Sequence, residues 1–188
     1  MVRMYETGKL PISEAEINEV QEYFDVTLPS DYREFMLNYN GGVLEGASSF
    51  KCNDGFSSCV GWFYNFDKES KSDIRDANEL REGRLPKYFV SIATDGGGDE
   101  ICIDCRPGNG YGKIYYWDHN FEADQEQEMT PEEADNCHLI ADSFSQFLDC
   151  LFERTMPSEE EIAAETVDAS TPEMKARMEA LMKRKGLL

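Results

Sequence analysis

One stretch constrains this chain more than any other. Asp95-Gly96-Gly97-Gly98-Asp99-Glu100 is a glycine-rich acidic turn, followed by Ile101-Cys102-Ile103-Asp104-Cys105-Arg106 and then Pro107-Gly108-Asn109-Gly110. A second β-prone run, Lys113-Ile114-Tyr115-Tyr116-Trp117-Asp118-His119, comes directly after. Two short β-prone runs bounded by turn residues predict adjacent antiparallel strands. Alternation puts Ile101 and Ile103 on one face of the first strand. No residue pattern here assembles a catalytic centre.

Helical signals flank this sheet. Ser13 and Glu16 form a capping box, with Ile12 and Ile17 placed as a hydrophobic staple. Ile17, Val20 and Phe24 recur on one face, which predicts a helix from Glu14 to Phe24. A second helix opens near Pro29, carries Tyr32, Phe35, Met36 and Tyr39, and ends at Gly41-Gly42. Tyr32, Phe35 and Tyr39 are expected to share a core with Trp62, Ile101, Ile103 and Tyr116. Further strands are expected from Val43, over Cys59 to Phe66 as one run, and over Tyr88 to Ala93. A helix is expected from Asp73 to Leu80, capped by Ser72. Phe121 to Cys137 reads as acidic loop, and Leu139-Ile140 as short edge structure. Ser143 and Gln146 form a second capping box before a helix with Phe144, Phe147, Leu148, Leu151 and Phe152. The fold class is therefore α+β: a mainly antiparallel sheet packed by N- and C-terminal helices. Pro157 divides a domain over 1–155 from a helical extension over 156–188, which bears a stripe of Met174, Met178, Leu181 and Met182.

Charge excludes several functions. The 188 residues carry 38 Asp plus Glu against 18 Lys plus Arg, a formal net charge of −20. Phosphate backbones require positive charge, so direct nucleic-acid binding is not expected. An acidic surface favours a basic partner and speeds its encounter. No Lys or Arg falls between Lys113 and Arg154, while carboxylates recur throughout that interval. The last twenty residues reverse the sign, with five cations against two carboxylates. That asymmetry allows the extension to dock on the body or across a homodimer. Residues 1–13 lack the apolar segment of a signal peptide, and no run reaches the length of a membrane span. A cytoplasmic location is expected, with six reduced cysteines in structural roles.

The cysteines, histidines and hairpin carboxylates are the candidates for chemistry. Cys102 and Cys105 have the spacing of redox and zinc motifs, but they lie in a strand and point to opposite faces. Cys52, Cys59, His119, Cys137 and His138 match no standard zinc signature, so no metal site is expected. The hairpin carboxylates lack the ligand pattern of a calcium loop, and the glycines lack the lysine and helix of a phosphate loop. No nucleophile has a defensible base. No catalytic residue, cofactor or metal is assigned.

Three segments resemble the SUKH superfamily, which includes bacterial toxin-immunity proteins and fungal cell-wall-synthesis regulators. They are Leu28-Pro29-Ser30-Asp31-Tyr32-Arg33-Glu34-Phe35 through Tyr39-Asn40-Gly41-Gly42, then Asp95 to Arg106, then Gly108 through His119. The Phe144-to-Leu151 helix is similar to the family's closing helix. The resemblance spans about 13–153. It implies helices on an antiparallel sheet and a non-catalytic binding role, for many relatives the neutralisation of a toxin encoded beside them. The expected partner is a cognate basic toxin domain, for example a nuclease. A regulatory or scaffold module is the second reading, and a hydrolase using hairpin carboxylates the third. Asp95, Asp99, Glu100, Asp104, Asp118, Glu122, Asp124, Glu126 and Glu128 are the candidate partner-binding residues.

Overall fold

Ser13 starts the first helix, α1 (Glu14–Phe24), through the expected capping box. In this computed structural model, which describes residues 3–121 and 130–153, Ser13 Oγ accepts from the Glu16 amide at 3.4 Å. Glu16 Oε2 accepts in return from the Ser13 amide at 2.7 Å. Donors that a helix start leaves unpaired are thereby satisfied. Ile12 and Ile17 are both buried beneath this turn. α1 closes at Asp25, whose φ of 52° turns the chain into the left-handed region. The next helix, α2 (Ser30–Tyr39), buries Tyr32, Phe35 and Met36. Gly41 and Gly42 then take φ of 74° and 112°. A Cβ on Gly42 would lie 2.1 Å from the Glu6 carbonyl oxygen, so only glycine fits this crossing.

Seven strands form one antiparallel sheet. They are β1 (Met4–Thr7), β2 (Gly42–Leu44), β5 (Trp62–Phe63), β6 (Phe89–Thr94), β7 (Glu100–Asp104), β8 (Ile114–Trp117) and β9 (Cys137–Ala141), hydrogen-bonded in that order. A separate two-stranded ladder joins β3 (Ser49–Lys51) to β4 (Ser57–Cys59). Two further α-helices, α3 (Ile74–Glu79) and α4 (Phe144–Cys150), and a 3-10 turn over His119–Phe121 complete the elements of the described residues. The α+β architecture expected from the sequence is the one found.

Both faces of the central strands are covered. Val90, Ile92, Ile101, Ile103, Ile114 and Tyr116 join the main core with residues of α1, α2 and α4. Tyr32 and Phe35 meet Phe144 there, with ring centroids 5.0 and 5.1 Å apart. The opposite face carries a smaller cluster of Phe89, Cys102, Tyr115 and Trp117, with Leu85, Cys137 and Leu139 packed on it. The segment from α3 to Leu85 reaches this face. Asn78 exchanges two hydrogen bonds with the Ser91 backbone, each 2.9 Å, and the Arg84 guanidinium lies 5.4 Å from the Trp117 ring. Cys102 and Cys105 fall into different clusters, as strand alternation requires.

Several local expectations are corrected. Trp62 is 37% exposed and lies outside the core. In a two-residue strand only one side chain faces inward, and Phe63 takes that place. The run from Cys59 to Phe66 is not one strand. It divides at Gly61, where a Cβ would lie 3.0 Å from the Thr94 oxygen. Asp73, not Ser72, caps α3, because its carboxylate accepts from the Arg75 amide at 2.9 Å while also pairing with the Arg75 guanidinium. The second capping box is half formed. Ser143 Oγ accepts from Gln146, whose own side chain turns to the Asp142 amide at 3.3 Å. Phe152 is exposed, and the edge structure near Leu139 is a full strand, β9. The extension over 156–188 lies outside the described residues.

Candidate functional site

The β6–β7 turn is held by its own carboxylates. Asp95 Oδ1 accepts from the Gly97 amide at 2.6 Å and from the Asp99 amide at 3.3 Å. Thr94 Oγ1 donates to the Asp99 carbonyl at 2.9 Å and accepts from the Gly96 amide at 3.2 Å. Two residues from the β8 side complete the network. Tyr116 Oη donates to Asp99 Oδ2 at 2.5 Å, with a longer contact to Asp95 Oδ2 at 3.2 Å. The His119 amide donates to Asp99 Oδ1 at 2.9 Å, and its Nδ1 lies 2.5 Å from the same oxygen. An ionised carboxylate only accepts, so Nδ1 carries the proton. Burial opposes charge on Asp99, but the Tyr116 and His119 hydrogen bonds outweigh it and hold the carboxyl below the usual range. Gly98, at φ 110°, lies against the His119 ring, where a Cβ would sit 3.3 Å from Cε1. Exposed Trp62 borders Gly96 on the same turn.

Behind the turn sits a buried ion pair. Glu100 is 1% exposed and accepts from Ser91 Oγ at 2.6 Å and Tyr64 Oη at 2.9 Å. Arg81 brings Nη2 to 2.9 Å from Glu100 Oε1, yet misaligned, so that oxygen accepts no hydrogen bond. Burial raises the Glu100 carboxyl, against the lowering by Ser91, Tyr64 and Arg81. The folded state therefore keeps this proton to higher pH than the unfolded chain. Stability should fall, relative to Glu100→Gln, as pH climbs from the ordinary value near 4.5 through the raised one. Urea unfolding of both proteins across that window checks it. A difference between them that does not change with pH would remove the assignment.

The remaining candidates are placed as follows. Asp104 is fully buried and bidentate to Arg106, which also reaches Glu132 at 2.9 Å. Arg106 holds the Glu132 carboxyl down to about 2. Gly110 packs into this pair, where a Cβ would be 2.4 Å from Asp104 Oδ2. Asp118 is nearly buried and accepts from the Asn120 amide at 2.7 Å and from its side chain at 2.9 Å. Of the hairpin carboxylates, only Asp95 and Asp99 reach solvent at the turn. Glu100 and Asp104 are turned inward, which corrects the expectation that they form surface. Glu122, Asp124, Glu126 and Glu128 lie outside the described residues. Asp99, Asp118 and His119 each bring one ligand atom within 4.8 Å of the others. Both Asp99 oxygens already accept from protein donors. All six cysteines are free thiols, and burial pushes those of Cys52, Cys105 and Cys137 up to about 12. Such thiols are not nucleophiles at neutral pH.

Arg81 and His119 were not singled out for the turn by sequence reasoning. The register that pairs Ile101 with Tyr116, continued past the strand ends, sets His119 opposite Gly98 and within reach of Asp99, so a correct strand pairing was the signal for it. Arg81 had none, since it comes from the turn after α3.

A short-helix, antiparallel-sheet domain with these three segments has known relatives. The chain belongs to the SMI1/KNR4 family (SUKH-1), whose sequence profile matches residues 11–150. It is 27% identical over 166 residues to an SPbeta prophage-derived uncharacterized protein, YokK, of Bacillus subtilis (strain 168), covering 78% of each chain. A crystal structure of a protein from Pseudomonas syringae pv. tomato aligns with 60% of this chain and 75% of its own, at 17% identity and a TM-score of 0.38. Among the described residues, no helix is long and apolar enough to cross a membrane.

Proposed function

We propose that the chain is a cytoplasmic, non-catalytic immunity protein that neutralises a toxin domain by covering its basic face. Family membership supports a binding role of this kind. The observation that carries the reading is the β6–β7 turn. Two carboxylates are locked there by backbone and side-chain donors, with an exposed tryptophan beside them, on a chain of net charge −20. A fixed carboxylate pair loses little entropy on meeting a cation, and tryptophan is a frequent interface anchor. A nuclease is the favoured toxin class, since its substrate-binding face is basic.

Co-expression with the toxin domain of a neighbouring secreted multidomain gene tests the role. Cells are expected to survive with this protein and die without it. Equal killing in both would end the proposal. The surface has its own test. Neutralising Glu122, Asp124, Glu126 and Glu128 together is expected to slow association with that toxin severalfold and flatten its dependence on salt, leaving dissociation nearly unchanged. An unchanged rate and an unchanged salt slope would sink the assignment of these carboxylates to the contact surface.

A further inference from the structure

The other end of β7 carries a second feature. A groove of about 670 Å³ runs between the C-terminal end of α1 and the turn after β7, lined by Glu22, Asp25, Val26, Tyr88, Cys105 and Tyr111 among others. Its floor is apolar: Cys105 is buried and Val26 packs on the main core. Its walls are aromatic, with Tyr88 41% exposed and Tyr111 40% exposed. The ionic residues that line it, Glu22 and Asp25, are both acidic, and Lys87 lies beside it over the Tyr88 ring.

We infer that this groove receives an arginine or lysine side chain from a basic peptide segment of the binding partner. Three observations converge on a cation. The last turn of α1 has no basic residue, so the negative end of the helix dipole is uncompensated. Glu22 and Asp25 add charge of the same sign at that end, where helices ordinarily place Lys or Arg. The two tyrosine rings supply faces that attract a cation; the chain's own Lys87, with Nζ 5.3 Å from the Tyr88 ring, holds one of them, which leaves the Tyr111 ring and the other face of Tyr88 to the incoming side chain. The backbone adds a fourth point. Tyr88 sits at φ 67°, a left-handed conformation that disfavours a bulky side chain, although asparagine tolerates it. A tyrosine kept half-exposed in a strained position is not there for the core. It contributes a ring to a surface, in the manner of strain stored at binding sites.

The groove rests on the binding role proposed above, but its test needs no toxin. The capped tripeptides acetyl-Gly-Arg-Gly-amide and acetyl-Gly-Gln-Gly-amide are titrated into the full isotope-labelled chain at near-physiological salt, followed by NMR. The arginine peptide is expected to give saturable shifts at Asp25 to Thr27, Tyr88 and Tyr111, binding about tenfold more tightly than the glutamine peptide. Tyr111→Leu, and Glu22→Gln with Asp25→Asn, are each expected to weaken it about three- to tenfold. Tyr88→Asn is expected to weaken it likewise while keeping or raising the thermal midpoint, a combination that a structural tyrosine would not give. Equal binding of the two peptides, or shifts spread over the exposed carboxylates without focus on the groove, would overturn the inference. So would self-association of the chain that Tyr111→Leu abolishes, which would assign the groove to a second copy. If the peptide docks as described but the toxin kills regardless, the groove stands and the immunity role falls. If protection holds but no peptide docks, the reverse follows.

Discussion

Replacing Arg81 by methionine is expected to destabilise the protein by about 3–5 kcal/mol, the cost of leaving a buried carboxylate without its partner. Glu100 is 1% exposed, and the Arg81 side chain is 19% exposed. Methionine keeps much of the arginine's apolar stem and removes the charge together with the guanidinium donors. Two hydrogen bonds from Ser91 and Tyr64 would remain on one Glu100 oxygen, with nothing facing the other. The guanidinium also reaches the Gly98 carbonyl at 3.4 Å, so the β6–β7 turn should loosen as well. The double variant Arg81→Met with Glu100→Gln isolates the ionic part, because the uncompensated charge is gone. It is expected to recover at least half of the loss in urea unfolding. If Arg81→Met alone costs less than about 1 kcal/mol, the pair is not what allows a carboxylate on that face of the sheet.

Arg81 also shows where sequence stops informing on this fold. The local signals were legible because their causes are local. Ser13 and Glu16 are three residues apart, and so are the two ends of the hydrogen bonds they make. Gly41 and Gly42 end α2 through their own φ angles. The alternation of Ile101, Cys102 and Ile103 is set by the strand itself. Glu100 and Asp104 were different. Alternation puts them on the face opposite Ile101 and Ile103, and in a two-layer protein that face would be wet. Here the segment from α3 to Leu85 covers it, so the same carboxylates become interior groups with arginine partners. Nothing in the spacing of Glu100 announces a cation nineteen residues earlier.

The remaining misses share that origin. β1 has three exposed residues of four, so it shows no apolar alternation, and its strand character comes from pairing with β2. Trp62 looked like core because aromatic residues usually are. Its exposure follows from the side that pairing with β6 gives it, since Phe63 takes the inward place and Trp62 the outward one. The candidate site was therefore half legible. Asp95 and Asp99 were named from the turn, while the residues that lock and border it, His119, Tyr116 and Trp62, came together only through strand register.

The inner face offers the second large effect. Ile103→Ala is expected to cost about 2–5 kcal/mol, from lost transfer energy plus the cavity left behind. Ile103 is fully buried in a central strand, paired with Val90 on one side and Ile114 on the other. Those neighbours are held by sheet hydrogen bonds and cannot move in to fill the space, which places the cost toward the upper part of that range. Leu80→Ala is the matched control. Leu80 caps the end of α3 and is 71% exposed, so its truncation should change stability by no more than about 0.5 kcal/mol. Both variants are read by urea unfolding with a shared slope, since neither alters the compactness of the folded chain. The contrast matters for the binding surface too. The turn that carries Asp95 and Asp99 is anchored by β6 and β7, and Ile103 and Val90 join those strands through the core. A small effect at Ile103, equal to that at Leu80, would mean that the rigidity of the turn comes from its own hydrogen bonds and not from the sheet beneath it.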